Sequence, residues 1–151
     1  MAPAPGDVVL TADEGAVRVL TLNRPARLNA FTAASYRSLA ESLDAADEAP
    51  AVRVVVLVGA GRGFSSGVDL DAIPTDGDSS SELSETFDGL LESLLRFSKP
   101  LIAGVHGVAV GFGATVLLHC DVVLVAEDSR IRMPFTVLGT APEAGSSLLL
   151  P

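Results

Sequence analysis

The sequence predicts one α/β domain over residues 1–151, built on a mainly parallel sheet. Three observations predict it. Strand-like runs alternate with helix-length amphipathic segments in the order strand, helix, strand, helix, strand, helix, strand, the pattern of sheets joined by crossover helices. Residues 52–58 (Val-Arg-Val-Val-Val-Leu-Val) are apolar nearly throughout, as suits a strand buried on both faces. Two glycine-rich loops each follow a buried strand, and ligands of α/β sheets gather at the carboxyl ends of strands.

Residues 7–11 and 16–22 favour strands, with Asp13-Glu14-Gly15 as the turn between them. Asn23-Arg24-Pro25 ends the second run, because Pro25 has no N–H to continue a ladder. Thr32 is placed to cap a helix over 33–48, where Leu39 and Leu43 sit four apart with Tyr36 and Ala40 beside them. Pro50 stops that helix. Strand 52–58 runs into a glycine-rich loop over 59–67, and Asp76 to Ser81 is a polar, mobile stretch. A helix over 82–97 ends before Lys99-Pro100, and 101–105 is another buried strand. The second glycine loop, 107–113, leads into a helix from about Gly113 to Leu118. Residues 121–126 and 130–133 read as strands, and no internal repeat is visible.

The chain is 48% hydrophobic with a mean hydropathy of +0.45, which is enough apolar material for a core and argues against disorder. It has 19 acidic against 10 basic residues, a formal charge of −9, so no general basic field for nucleic acid is present. The acids gather in 41–48 and 69–92, as solvated helix faces do. Cys120 is the single cysteine, which excludes an internal disulfide and fits a reducing, cytoplasmic setting. The first residues lack a basic n-region followed by an apolar run, so no signal peptide is expected. The apolar stretches break well short of the ~18 residues that a membrane span needs. No metal-ligand cluster is expected.

The first loop, Gly59-Ala-Gly-Arg-Gly-Phe-Ser-Ser-Gly-Val-Asp69, is not a dinucleotide fingerprint, because Phe64 stands where the last glycine is needed. It is not a P-loop either, since Gly-Lys-Ser/Thr is absent. The second is His106-Gly-Val-Ala-Val-Gly-Phe-Gly113. Glycines let the backbone approach a ligand closely, and two N–H groups from separate loops can converge on one oxygen. Such an oxyanion hole is worth about 3–4 kcal/mol per donor. A plain flexible turn is the alternative reading of either loop.

Asn23-Arg-Pro, Leu28-Asn-Ala30, Phe64-Ser-Ser-Gly-Val-Asp-Leu70, Lys99-Pro100, His106-Gly-x-Ala-x-Gly-x-Gly113, Cys120-Asp121, Met133-Pro-Phe135, Leu138-Gly139 and Pro142-Glu-Ala-Gly-Ser-Ser147 occur in this order. Together they resemble the motifs of the crotonase (enoyl-CoA hydratase/isomerase) family over residues 7–151. The resemblance implies a crotonase/ClpP-like spiral of ββα units that binds acyl-CoA, with no separate cofactor because coenzyme A is part of the substrate. It implies backbone donors to the thioester oxygen at Val68, after Gly67, and at Phe112, between Gly111 and Gly113. It places the Ser66 carbonyl at the adenine with Arg62 and Phe64 nearby, and Arg24, Arg27 and Leu28 along the CoA path. Asp69 would brace the first loop.

Family hydratases carry two glutamates. The matching positions here are Thr115 and Phe135, so the resemblance disfavours hydration. Glu143, in Pro-Glu-x-Gly-Ser-Ser, matches the base of the Δ3,Δ2-enoyl-CoA isomerase branch, which moves a proton from C2 to C4 during fatty acid β-oxidation. Its local setting also reads as a first-turn acid complementing a helix dipole, with Pro142 at the helix start. A non-catalytic acyl-CoA-binding or interaction module, or another crotonase reaction such as enoyl-CoA hydration or thioester hydrolysis, are the alternatives. His106, His119, Cys120 and the serines 65 and 66 read as structural, for none has the partners of a nucleophile. Family members continue past the position of Pro151 with a helical region that closes over CoA and builds trimers. The resemblance therefore makes this chain an N-terminal part lacking that region, and a homo-oligomer in the full-length form.

Overall fold

A computed structural model describes residues 6–73 and 82–150; the polar stretch expected as mobile at 76–81 lies outside them. The chain opens with an antiparallel hairpin of β1 (Val9–Glu14) and β2 (Val17–Leu22), paired Val9 to Leu22 through Glu14 to Val17. The turn therefore sits at Gly15 and Ala16, later than the Asp13-Glu14-Gly15 expected, because Gly15 supplies the positive φ (+63°) of a two-residue hairpin turn. β3 (Val54–Gly59), β4 (Leu101–Val105) and β6 (Val122–Val125) then add in parallel, giving the order β1-β2-β3-β4-β6. The predicted α/β class with a mainly parallel sheet is what the chain forms.

α1 (Ala33–Glu48) starts where Thr32 Oγ1 accepts from the Ser35 amide at 3.3 Å. It buries Tyr36, Leu39, Leu43 and Ala46, one stripe at helical spacing. Its C-terminal end is closed by Lys99, whose Nζ donates to the carbonyls of Ala46 (2.6 Å) and Ala49 (2.7 Å). α2 (Glu82–Arg96) turns Leu90 and Leu94 into the same core cluster as Leu39, Leu43, Leu20, Leu22, Val55, Leu57, Leu101 and Ala103. Along β3, Val55 and Leu57 are buried whereas Val54, Val56 and Val58 are only half-buried. The expected burial on both faces is thus unequal: the helices' apolar stripes join one set of alternating side chains and leave the other partly open.

Within the second glycine loop the structure forms a short strand, β5 (Val108–Val110), which pairs in parallel with β7 (Arg130–Arg132). The run is three residues between glycines, too short for periodicity to mark it. α3 (Phe112–Thr115) follows at once and passes into a 3₁₀ segment, Val116–His119. Two further one-turn helices, α4 (Phe135–Leu138) and α5 (Ser146–Leu149), complete the described chain.

Candidate active site

The two glycine loops are stitched together by backbone hydrogen bonds. The Phe64 amide donates to His106 O (2.9 Å), the Ser65 amide to Val108 O (3.0 Å) and the Val110 amide to Ser65 O (2.9 Å). Ser65 is fully buried; its hydroxyl donates to Asn29 O (2.9 Å) and accepts from the Gly67 amide (3.1 Å). Asn29, a bracket that the sequence offered only as part of a motif, donates through Nδ2 to the carbonyls of Ala60, Gly63 and Phe64 and accepts from the Arg24 amide. Gly113 is packed so closely on Ser65 that a Cβ there would lie 2.6 Å from Ser65 O.

This stitching sets Val68 and Phe112 side by side at the mouth of one cleft. Phe31 donates to Gly67 O (2.7 Å) and accepts from the Asp69 amide (2.8 Å), so the intervening Val68 amide points the other way. Phe112 is the first residue of α3, where an amide has no partner within the helix. Among the described residues, neither amide has a hydrogen-bond acceptor. A Cβ on Gly67 would stand 3.4 Å from the Phe112 nitrogen, which shows how near the loops come. The Phe112 ring is 3% exposed and held edge-to-face by Phe31 (4.9 Å), Tyr36 (5.2 Å) and Phe87 (5.3 Å). The side chain therefore fixes the direction of its own amide.

The cleft encloses about 870 Å³. Its apolar wall includes Tyr36, Phe87, Leu83, Phe135 and Leu138, and Ser66, Val68, Gly111, Phe112 and Glu143 also line it. Among the described residues Glu143 is the only carboxylate there. Ala144 and Gly145 carry positive φ (+52° and +67°), and α5 begins only at Ser146. Glu143 therefore lies on a turn, outside the first helical turn that its local sequence suggested. Its Oε1 accepts from the Thr115 hydroxyl at 2.5 Å. Burial pushes the Glu143 carboxyl above its ordinary pKa, and the Thr115 bond partly opposes that rise. Desolvation, with the nearby Glu143 charge, also raises the Tyr36 phenol.

The arginines are placed differently from the glycine loops. Arg24 puts Nη1 and Nη2 each 3.0 Å from Asp69 Oδ2, and Arg27 reaches Asp69 Oδ1 (3.0 Å) and the Asp71 carboxylate. Burial works to raise the Asp69 carboxyl, but the bonds from Arg27 and Arg24 outweigh it and hold the carboxyl below the usual range. Leu28 is half-buried in a left-handed conformation (φ +50°), and its carbonyl accepts from the Ser66 amide at 2.9 Å. Arg62 is exposed at the loop tip and, among the described residues, holds no ion pair. Phe64 is fully buried, so its ring belongs to the core and does not face a ligand on the loop surface.

The remaining polar groups are tied to the backbone. His106 Nε2 is 2.9 Å from Gly61 O, and His119 Nε2 is 2.9 Å from Ala144 O. Burial pushes the Cys120 thiol up to about 12, which leaves no reactive thiolate. No group of His, Cys, Asp and Glu that could hold a metal occurs among the described residues. No helix there is long and apolar enough to cross a membrane.

The enoyl-CoA hydratase/isomerase family model matches residues 12–151. The chain belongs to the enoyl-CoA hydratase/isomerase family, within the crotonase superfamily. It is 37% identical over 150 residues to the 1,2-epoxyphenylacetyl-CoA isomerase of Escherichia coli K12, covering 96% of this chain and 57% of that protein. It is 40% identical over 131 residues to the 2,3-dehydroadipyl-CoA hydratase of the same organism, covering 87% of this chain and 51% of that one. Among solved structures, an enoyl-CoA hydratase from Mycobacterium marinum superposes with a TM-score of 0.85 at 46% identity, over 95% of this chain and 68% of that one. The chain spans about half the length of the curated relatives it matches. One of these relatives is an isomerase and another a hydratase, both of CoA thioesters, so family membership alone does not fix a reaction.

Proposed function

We propose that this member of the family isomerises 3-enoyl-CoA to trans-2-enoyl-CoA, with the Val68 and Phe112 amides as oxyanion hole and Glu143 as proton shuttle. The observation that carries the reading is Glu143: a half-buried carboxylate of raised pKa, alone among the described cleft residues, beside two amides without acceptors. In this mechanism the substrate's thioester oxygen sits between the two amides. The ionised Glu143 takes a proton from C2, and the C–H electron pair moves through the carbonyl carbon onto that oxygen. The dienolate then returns charge to C4, which takes the proton back from Glu143 as the C2=C3 double bond forms. The two donors strengthen as charge develops, which is where binding energy accelerates a reaction. A raised pKa brings the carboxyl nearer the value at which a general base works at neutral pH.

Hydration would need one group to activate water and another to deliver a proton. The Thr115 hydroxyl is buried and engaged with Glu143, and Phe135 offers only a ring. Coenzyme A is proposed to run past the Ser66 carbonyl and Gly67. Arg62 is its available cation, whereas Arg24 and Arg27, already paired to Asp69, shape the wall beside Leu28. The test is conversion of 3-enoyl-CoA, followed through the absorbance of the conjugated thioester. Glu143→Gln should lower kcat by about 10²–10⁴-fold. Normal turnover by that variant would sink the role, 3-hydroxyacyl-CoA formed from trans-2-enoyl-CoA would favour a hydratase, and binding without turnover would favour a carrier module.

A further inference from the structure

Thr115 is fully buried and does not line the cleft, yet its hydroxyl reaches Glu143 Oε1 at 2.5 Å. Its amide donates to Gly111 O at 3.0 Å, and its hydroxyl lies 3.4 Å from Phe112 O. One residue thus ties the carboxylate to the helical turn whose first amide belongs to Phe112. No buried polar side-chain atom lacks a partner among the described residues. Glu143 Oε2 has no hydrogen-bond donor among the described residues, so it is the oxygen open to the cleft.

We propose that Thr115 is the positioning residue of the site: its hydroxyl pins Glu143 Oε1, so that Oε2 alone carries the proton in both half-reactions. The inference rests on Glu143 being the proton shuttle. When Glu143 is ionised, Thr115 donates to a charged oxygen, a bond about twice as strong as a neutral one. When Oε2 takes a proton, Oε1 remains an acceptor, so the same bond survives and the carboxyl does not turn. A side chain free to rotate would offer either oxygen at varying distance, and a misplacement of about 1 Å can cost about 10²-fold in rate. The position that family hydratases fill with a carboxylate is occupied here by a donor that serves the remaining one.

The other titratable side chains near Glu143 are Tyr36, facing the cleft from α1, and His119, held on the neighbouring Ala144 carbonyl. α2 and the first glycine loop present apolar or hydroxyl-bearing side chains to the cleft. Among the described residues the Thr115 hydroxyl bonds only to Glu143 and the Phe112 carbonyl, so the substitution removes no hydrogen bond of Tyr36 or His119.

The experiment replaces Thr115 by Val, Ser and Ala, and follows the Glu143 carboxyl by ¹³C NMR titration, with Glu143→Gln assigning its signal. Removing a donor to the charged form should move the midpoint to higher pH in Thr115→Val, while Thr115→Ser keeps it near the parent value. Thr115→Ala gives the same comparison if the valine variant does not fold. With 3-enoyl-CoA, kcat of Thr115→Val should fall roughly tenfold with KM little changed, and the acid limb of its pH profile should move up with the titration. Serine should restore both. An unmoved midpoint, or kcat and KM falling together without it, overturns the proposal. A moved midpoint in a chain that does not turn over 3-enoyl-CoA upholds the pinning of Oε1 and overturns the isomerase reading instead.

Discussion

A carboxyl held above its ordinary pKa is bound less willingly as a charge in the folded chain than in the unfolded one, and Glu143 is in this position. Its contribution to stability is fully present below the unfolded value, about 4.3, and is lost as pH rises through the raised folded value. Glu143→Gln keeps an acceptor for Thr115 and removes the charge. Its Tm should exceed that of the parent near neutral pH, and the two should converge at acid pH, as a thermal melt series would show. Asp69 has the opposite sign. With its folded pKa depressed, its stabilisation is present above the unfolded value of about 3.9 and fades as pH falls through the folded one. Asp69→Asn leaves Arg24 half-buried without its anion, so it should cost about 2 kcal/mol at neutral pH. Urea denaturation should show that difference shrinking toward acid pH.

Between elements, the critical distance is the one across the two glycine loops. Gly67 has φ +90°, and a Cβ there would stand 2.5 Å from Val110 O. Gly67→Ala must therefore either strain the backbone or push β5 and the Phe112 turn away from Val68. It should cost about 2–3 kcal/mol in stability and more than about tenfold in any activity that uses both amides. Gly89 is the control. It sits inside α2, where an added Cβ meets nothing within 4 Å. Gly89→Ala should raise stability by about 0.5–1 kcal/mol, because helix formation costs alanine less backbone entropy. Denaturation midpoints of the two variants should thus move in opposite directions.

Across the whole molecule, apolar surface is unevenly distributed. The sheet ends on one side at β6, where Val122, Leu124 and Val125 are exposed, and Ile131 of β7 and Leu148 of α5 are exposed as well. An open strand edge bearing apolar side chains favours association. The formal charge of −9 opposes it, since copies of like charge repel. Salt screens that repulsion and leaves the apolar attraction in place. Sedimentation velocity on this chain should therefore show association that grows with concentration and with salt. Leu124→Lys should reduce it, both by removing an exposed apolar side chain and by placing a charge on the edge strand.

The strands and helices were legible because their signals are local. Thr32 caps α1, the stripe through Leu39 and Leu43 faces the core, and the apolar run through Val55 and Leu57 joins the sheet. The ordered motifs are equally local, and they mark the family on their own. Three residues between glycines could not announce β5, whose pairing with β7 depends on a strand some twenty residues further on. Nor could the sequence tell that Arg24 and Arg27 turn to Asp69, that Phe64 goes into the core, or that Glu143 stands on a turn rather than in a helix. Fold class, family and the residue types available for chemistry all follow from local signals in the chain. That Thr115 meets Glu143, and that two amides far apart in the chain open on one cleft, depends on folding in three dimensions, because hydrogen bonds between distant segments are set by how the elements pack.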